Sequence, residues 1–343
     1  MSRLGLTMPI LNQPYSNFPI FANLADEAGF DSVWDYEFYR NPFIIHALCA
    51  QVTKNIKLAT GLAAAVGRSP FEMANAALDV EELSKGRLIL GLGTGGGDWA
   101  EYFNGNDIDH PVTRISEYID ILRLAWKHLA TGEPASYKGK FYRFDNPPMN
   151  IFGLRRDIVR TDVPIYVSGL RPKMAQLAGE KANGFLGFLM TPKFIKEVWE
   201  PNVVAGIQKA GRQRKDVETT ALVLCSVSDD RKEALRRARI NVGLYVCYPV
   251  GEVVINHMGL QDERNAVLQA LMTEGPAALE RVTSDALVKA FSIAGTPAEC
   301  HEQYQQYKEV LDHVVLHTPY VPPIAQADSE DAIRNTIRAF ARR

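Results

Sequence analysis

The stretch Gly91-Leu-Gly-Thr-Gly-Gly-Gly-Asp-Trp99 directly follows the apolar run Arg87-Leu-Ile-Leu90. Its glycines fit the G-x-G-x-x-G spacing that seats a dinucleotide pyrophosphate in the first strand–helix unit of a Rossmann fold. Here three strand–helix patterns come before the glycines, and no helical pattern follows them until about Thr113. Because a Rossmann fingerprint begins its helix at the last glycine, the context excludes that fold.

Short apolar runs alternate with helical patterns along the chain, which indicates a repeated strand–helix unit. The predicted strands are Leu4–Pro9, Asp31–Asp35, Ile56–Thr60, Arg87–Gly93, Pro164–Ser168, Gly184–Leu189, Thr219–Val227 and His313–His317. The helical patterns include Phe18–Ala28, Pro42–Val52, Pro70–Ser84, Ile115–His128, Lys173–Ala182 and Lys193–Ala210. Eight parallel strands close a (β/α)8 barrel. The sequence therefore predicts an α/β fold, a TIM barrel with insertions.

Two stretches are longer than ordinary barrel connections. Residues 131–162 are rich in Pro, Gly, Tyr and Asn, which predicts a structured loop excursion rather than a linker. Residues 228–311 are mostly helical in pattern and include the helix-capping sequence Thr296-Pro-Ala-Glu299, which predicts a helical insertion before the last strand. We expect residues 1–343 to form one elaborated barrel domain.

Composition excludes several classes of function. A net charge of −2 with scattered lysines and arginines does not suit a nucleic acid partner. No apolar run reaches the 18 residues of a membrane span, and the first residues lack the pattern of an export signal, so we expect a cytoplasmic protein without membrane contact. The four cysteines show no metal-ligand spacing, which predicts reduced thiols and no metal site.

Polar, aromatic and glycine residues cluster where several predicted strands end. These segments are Trp34-Asp-Tyr-Glu-Phe38, Thr60-Gly-Leu-Ala-Ala64, Ser168-Gly-Leu-Arg-Pro-Lys173 and His317-Thr-Pro-Tyr320. In a barrel of parallel strands they meet at the carboxyl-terminal mouth, where TIM-barrel enzymes keep their active sites. The glycines after Leu90 then let a flat ligand approach the backbone, although a flexible turn without a ligand explains them equally well.

Four ordered motifs, spread over nearly the whole chain, resemble the bacterial-luciferase-like superfamily. They are Glu81–Gly95, Arg114–Trp126, Pro164–Glu180 and Phe291–Glu299. Within it, the chain is most similar to reductases of the methylenetetrahydromethanopterin reductase type, which depend on the deazaflavin coenzyme F420, and next to FMN-dependent members. The resemblance implies a flavin-type cofactor at the barrel mouth and a small organic substrate.

The resemblance also implies which residues contact the cofactor. The ring is expected against a bulge after the third strand that often holds a cis non-prolyl peptide, here Gly61–Leu62, and against Thr94 and Gly95. The phosphate is expected near Ser168, Gly169, Arg171 and Lys173, where a glycine turn, a helix N-terminus and two cations coincide. An ordinary strand-end glycine and a solvated helix start are the alternatives.

Candidates for acid–base chemistry and for the substrate pocket come from the same strand ends. Asp35 and Glu37 lie where relatives often carry an acidic residue followed by histidine, which this chain lacks. Thr7 and Gly96 stand where some relatives carry a glutamate, so their proton-transfer scheme does not transfer to this chain. Helix-capping or structural carboxylates are the alternative. The predicted pocket residues are Tyr36, Phe38, Asp98, Trp99 and His110.

Three functions are consistent with these residues. The first is hydride transfer between F420 and an organic substrate, the second is an FMN-dependent monooxygenase, and the third is a flavin-binding barrel without turnover. The resemblance implies a homodimer, for which the small-residue helix Phe71–Leu78 is a candidate contact unless it packs on its own barrel.

Overall fold

The computed structural model describes residues 2–9, 11, 13–95, 108–145 and 156–342. The strands within these ranges are β1 (Arg3–Thr7), β2 (Ser32–Asp35), β3 (Lys57–Thr60), β4 (Ala63–Ala64), β5 (Leu88–Gly93), β6 (Ser136–Lys138), β7 (Arg143–Asp145), β8 (Ile165–Ser168), β9 (Gly184–Phe188), β10 (Glu218–Val227), β11 (Ser292–Gly295) and β12 (His313–His317). Eight of them pair in parallel in the closed order β1-β2-β3-β5-β8-β9-β10-β12-β1. The predicted TIM barrel is confirmed.

Helices surround the barrel and connect its strands. They are α1 (Asn17–Glu27), α2 (Pro42–Val52), α3 (Pro70–Ser84), α4 (Pro111–Thr131), α5 (Pro172–Lys181), α6 (Pro192–Phe194, continued by a π-helical turn Ile195–Trp199 and by Glu200–Lys209), α7 (Arg231–Val246), α8 (Glu252–Met258), α9 (Gln261–Glu274), α10 (Leu279–Val282), α11 (Asp285–Phe291), α12 (Pro297–Lys308) and α13 (Gln326–Phe340). Each predicted helix is present, with ends displaced by a few residues.

Four strands were not predicted from the sequence. β4 has two residues and pairs in parallel with the end of β5. β6 and β7 form a short antiparallel hairpin within the predicted excursion. β11 interrupts the helical insertion and pairs with Leu224–Val227, where β10 extends beyond the barrel. These segments are too short for their periodicity to be distinctive. The capping box that begins α12 at Thr296 is present as expected.

The barrel interior is filled in layers. Strand residues alternate between the interior and the helix layer. The middle layer is apolar and consists of Trp34, Ala59, Ile89, Tyr166, Leu186, Leu222 and Val315. Below it, towards the amino-terminal face, His313 contacts Ser32 Oγ at 2.8 Å and Glu218 Oε1 at 2.8 Å. Above it, the top layer faces the mouth and includes Thr7, Tyr36 and His317.

The backbones of β3 and β5 approach each other so closely at Gly91 that only glycine fits there. A Cβ atom at this position would overlap the carbonyl oxygen of Thr60. Thr60 also donates its hydroxyl hydrogen bond to the carbonyl oxygen of Gly91 at 2.8 Å. The first glycine of the Gly91–Trp99 stretch therefore serves strand packing, while Gly93 and Gly95 lie nearer the mouth.

One carboxylate of α4 accepts three backbone hydrogen bonds from the turn of the β6–β7 hairpin. Glu117 accepts hydrogen bonds from the backbone N–H groups of Lys140, Phe141 and Tyr142 at 2.7, 2.9 and 3.1 Å. Three donors outweigh burial and lower the pKa of Glu117. The hairpin of the predicted excursion is thus packed on the barrel helices.

Candidate active site

One half of the barrel mouth, formed by the ends of β3, β5 and β8, carries glycines and small side chains; we call it the glycine half. The Gly61–Leu62 peptide after β3 is cis, as the resemblance led us to expect. Glu37 donates its backbone N–H to the carbonyl oxygen of Leu62 at 2.9 Å, so the end of β2 holds this bulge in place. A Cβ atom at Gly93 would lie 2.8 Å from Leu62 Cδ2 and 3.3 Å from Ser168 Cβ. The structure therefore brings Leu62, Gly93 and Ser168 side by side.

The predicted phosphate residues lie at the outer edge of the glycine half. Ser168 and Gly169 are partly exposed at the end of β8, and Arg171 and Lys173 are exposed at the start of α5. The N-terminus of α5 has no side-chain cap. Among the described residues, none forms an ion pair or a hydrogen bond with the Arg171 or Lys173 side chain. Free cations beside the N-terminus of a helix are suited to bind an anion.

Thr94 and Gly95, the predicted ring contacts, are partly exposed directly after β5. Their placement beside Gly93 agrees with a flat surface without large side chains. Asp98 and Trp99, predicted for the substrate pocket, lie outside the described residues, as does Gly96.

Asp35 lies on the helix-facing side of β2. Because Trp34 points into the barrel, the next side chain points outward, and the Asp35 carboxylate has no exposed surface. His46 Nε2, on α2, lies 2.8 Å from Asp35 Oδ1 and 2.9 Å from the carbonyl oxygen of Ala59, towards which its N–H is directed. Burial therefore raises the pKa of Asp35 despite the neighbouring imidazole. This position favours a structural role, and the catalytic role of Asp35 stays a prediction.

Glu37 is engaged in contacts that fix the β3 bulge. Its Oε2 accepts a hydrogen bond from the backbone N–H of Ala64 at 2.8 Å and pairs with the Arg68 guanidinium. The carboxylate retains about 17 % exposure, so it lies near the mouth but is already paired. An acid–base role for Glu37 also stays a prediction.

The other half of the mouth, formed by Thr7, Tyr36, Phe188, Tyr245, His317 and Tyr320, we call the aromatic half. Tyr245, on α7, stands at its centre. The Tyr245 hydroxyl lies 2.6 Å from that of Tyr320, 3.2 Å from that of Tyr36 and 3.3 Å from His317 Nε2. Sequence reasoning selected Tyr36 but not Tyr245, because that residue lies in the helical insertion, far from any strand end.

Hydrogen bonding fixes the tautomer of His317. Thr7 donates its hydroxyl to the carbonyl oxygen of Leu316 at 3.3 Å, so its oxygen accepts from His317 Nδ1, 3.2 Å away. Nε2 then accepts from Tyr245. Burial lowers the pKa of His317 to about 3 and raises the pKa of Tyr245, so both side chains are neutral at pH 7.

The remaining predicted pocket residues lie farther out. Phe38 packs edge-on against Tyr39 with ring centroids 4.4 Å apart. His110 is exposed, precedes α4 with a φ of 51°, and packs against Phe141 of the hairpin at 5.5 Å between ring centroids. The structure thus brings Tyr36 into the aromatic half, while His110 borders the excursion.

Metal-binding clusters, disulfides and membrane-spanning helices are three further features that bear on function. Within the ranges that the structure describes, no group of three or more His, Cys, Asp or Glu side chains is arranged to hold a metal ion. All four cysteines are free thiols. In the same ranges no single helix has both the length and the hydropathy needed to cross a bilayer. The helix α7 meets both criteria only when it is counted together with Pro249–Met258, from which an 86° bend separates it.

Comparison with known proteins identifies similar chains. The model of the luciferase-like monooxygenase family matches residues 3–313. A 5,10-methylenetetrahydromethanopterin reductase of Archaeoglobus fulgidus is 31% identical over 315 residues, 90% of this chain and 91% of the relative. The F420-dependent tetrahydromethanopterin reductase of Methanopyrus kandleri superposes with a TM-score of 0.83 at 24% identity, over 98% of both chains. The FMN complex of the oxygenating constituent of 3,6-diketocamphane monooxygenase from Pseudomonas putida gives 0.69 at 20% identity, over 99% of this chain and 98% of that one.

Proposed function

The chain belongs to the luciferase-like monooxygenase family, and on that premise we propose that it is an oxidoreductase that transfers a hydride between coenzyme F420 and an organic substrate. The observation that carries the proposal is the glycine half. There, small residues at the ends of β3, β5 and β8 adjoin two free cations at an uncapped helix N-terminus. The named reductases among the relatives support F420 as the cofactor.

The glycine half fits a flat ring that carries a phosphate. Gly93 has no side chain and lies directly beside Leu62, because a Cβ atom at Gly93 would come within 2.8 Å of Leu62. The two residues therefore leave a flat surface for the ring. Arg171, Lys173 and the positive end of the α5 dipole would supply positive charge to the phosphate. When bound, F420 would supply the carbon that accepts or gives the hydride.

The aromatic half fits the substrate side of the mouth. Tyr36, Tyr245 and Phe188 are partly exposed there, and Phe188 packs edge-on against Tyr245 at 4.7 Å between ring centroids. These rings exclude water from one wall, and the Tyr36 hydroxyl, at the outer end of the hydrogen-bond network, is the group that would hold a polar substrate atom. We assign Tyr36 to substrate binding, with Tyr245 and His317 fixing its hydroxyl.

FMN is the rival cofactor, favoured by the fold shared with an FMN-bound monooxygenase. The phosphate site serves both cofactors, so direct binding decides between them. Purified protein is titrated with F420 and, separately, with FMN, and cofactor fluorescence is followed at moderate salt. We expect micromolar affinity for F420 and much weaker binding of FMN. Preference for FMN would replace the proposal by monooxygenase chemistry, and binding of neither would leave a barrel without this activity.

We further propose that the protein is a homodimer formed through α2. Ile44, Leu48 and Val52 are spaced four residues apart on this helix and are 51%, 38% and 41% exposed. The helix Pro42–Val52 carries no Lys, Arg, Asp or Glu, so this outer stripe is uncharged as well as apolar. The sequence pointed instead to α3, but Met73, Ala74, Ala77 and Leu78 of that helix are buried in its own barrel.

Light scattering coupled to size-exclusion chromatography tests the dimer. We expect wild type to elute with the mass of two chains and Leu48→Glu with the mass of one, because a carboxylate at the centre of an apolar contact is costly. Met272→Glu is the matched control, since Met272 is an isolated apolar residue, 79% exposed, on α9. A monomeric wild type would contradict the proposal.

A further inference from the structure

A second polar cleft lies at the rim of the mouth, away from the glycine half. It is an open depression between the loops that follow β1, β2 and β12, with a volume of about 770 Å³. Gln13 and Pro14 line it from the first loop, Arg40 from the second, and Ile324 to Gln326 from the third. Neither the predicted cofactor residues nor the aromatic half lies in this cleft.

Gln13 lines the cleft with a polar side chain that lacks one hydrogen-bond partner. The residue is 1% exposed, although its side chain is polar. Its Oε1 accepts a hydrogen bond from Asn17 Nδ2 at 2.7 Å, which fixes the orientation of the amide. The other end, Nε2, is buried and has no acceptor. An unpaired buried donor costs free energy that an acceptor in the cleft would recover.

Arg40, which lines the same cleft, carries a second unpaired donor. Its Nη2 donates to the carbonyl oxygen of Gln13 at 2.5 Å, and its guanidinium lies 4.5 Å from the centroid of the Tyr15 ring. These contacts hold the guanidinium still. Nη1, however, is buried without an acceptor. Two side chains that line the cleft and are already fixed therefore carry one full positive charge and two nitrogen donors without an acceptor.

The N-terminus of α13 faces the same depression. Ala325 is its N-cap residue and has no side-chain cap, so the first backbone N–H groups of a 15-residue helix are without a side-chain acceptor. Two carboxylates are nearby. Asp328, in the first turn of α13, is paired with the Arg236 guanidinium at 2.8 Å. Glu330 Oε1 already accepts from Asn17 Nδ2 at 3.2 Å and from Gln326 Nε2 at 2.9 Å.

From this geometry we propose that the cleft binds one anionic group, a carboxylate or a phosphate, held by Gln13, Arg40 and the α13 N-terminus. The position of the cleft assigns that group to the substrate, an assignment that rests on the proposed function. Tyr36 and Tyr320 pack with ring centroids 6.4 Å apart, and Arg40 and Ile324 lie four residues beyond them. Four residues span at most about 14 Å, so one extended substrate reaches both the aromatic half and the cleft.

The test measures anion binding directly, without turnover. Inorganic phosphate is followed by the width of its 31P resonance and acetate by the width of its 13C carboxylate resonance, at constant ionic strength. All variants, including the parent for this titration, carry both Arg171→Gln and Lys173→Gln, so that the proposed cofactor phosphate site contributes little. We expect saturable binding that falls about tenfold on adding Arg40→Gln, because a charge-assisted contact is lost.

Gln13→Glu is the sharper variant. The new carboxylate keeps the acceptor for Asn17 and gains Arg40 as an ion-pair partner, so thermal unfolding should stay near that of the parent while anion binding falls about tenfold. Phosphate bound in preference to acetate indicates a phosphorylated substrate, and the reverse indicates a carboxylic acid. Absence of binding to the parent, or binding by both cleft variants that is as tight as binding by the parent, would overturn the proposal.

A parallel titration with F420 separates the two proposals. Gln13→Glu and Arg40→Gln, made in the wild-type chain, should leave F420 affinity within about twofold, because neither residue lies in the glycine half. If the wild type fails to bind F420, the proposed function fails, while the anion titration still decides whether the cleft is a binding site.

Discussion

The two halves of the barrel mouth differ in what their side chains contribute to the structure. In the glycine half, side chains are absent at Gly91 and Gly93, so backbones pack closely and a flat surface remains. In the aromatic half, four ring-bearing side chains share one hydrogen-bond network around Tyr245. The first half is defined by what a Cβ atom would obstruct, and the second by polar groups that must all be paired. Substitutions should therefore fail for different reasons in each.

Gly91→Ala should give the largest effect, since the added methyl group would overlap the Thr60 carbonyl oxygen, which is backbone and cannot rotate away. We expect a loss of about 3 kcal/mol in the free energy of unfolding, measured by urea denaturation. Gly93→Ala is the matched control on the same strand. Its new methyl group meets the flexible Leu62 side chain, so we expect about 1 kcal/mol and weaker F420 binding. Equal losses would show that close backbone approach does not decide the effect.

A pH titration addresses the aromatic half next. Burial holds the pKa of His317 at about 3 in the folded chain, against 6.5 when exposed. Between about pH 6.5 and pH 3 the imidazole is therefore protonated in the unfolded state but neutral in the folded state. The contribution of His317 to stability is complete above about pH 6.5 and is lost as pH falls towards 3. Between pH 7 and pH 5 this one residue should account for about 2 kcal/mol.

The measurement is the difference in unfolding free energy between pH 7 and pH 5 for wild type and for His317→Gln, which still donates to Thr7 and accepts from Tyr245. The variant should lose less stability on acidification than the wild type. His313, buried in the amino-terminal layer with its pKa also lowered to about 3, should retain its own contribution in both proteins. An unchanged difference would mean that His317 is protonated in the fold.

The comparison also explains what sequence could predict. The strands could be predicted because parallel strands that are covered on both faces are continuously apolar. The glycine half could be predicted because its residues lie in short motifs directly after those strands. The aromatic half joins Thr7, Tyr36, Tyr245 and His317, which are separated by up to 310 positions. Nothing local marks Tyr245 as a partner of His317. The outward direction of Asp35 likewise depends on strand alternation in the folded barrel, where Trp34 takes the interior position.

Tyr245→Phe tests whether the hydrogen-bond network of the aromatic half depends on its central hydroxyl. Removing the central hydroxyl leaves His317 Nε2 and the Tyr320 hydroxyl without their partner, and we expect a loss of about 1.5 kcal/mol in the free energy of unfolding. Tyr36→Phe removes a group at the edge of the network, where water replaces it, and should cost less than about 0.5 kcal/mol. Nitrogen-15 NMR provides an independent check, because the Nδ1-protonated form of His317 should predominate in wild type and in Tyr36→Phe but less so in Tyr245→Phe.

Arg171→Gln should have the smallest effect, and it acts on ligand binding rather than on the fold. The side chain is exposed at the start of α5, so its loss should leave the unfolding free energy within about 0.5 kcal/mol. F420 affinity should fall about fivefold, roughly 1 kcal/mol, because one cation of the phosphate site is removed while Lys173 and the helix N-terminus remain. Lys215→Gln removes an equal charge from the loop before β10, on the opposite face, and should leave affinity unchanged. If both variants weaken F420 binding equally, net charge rather than the glycine half attracts the cofactor, and the contrast between the two halves loses its chemical basis.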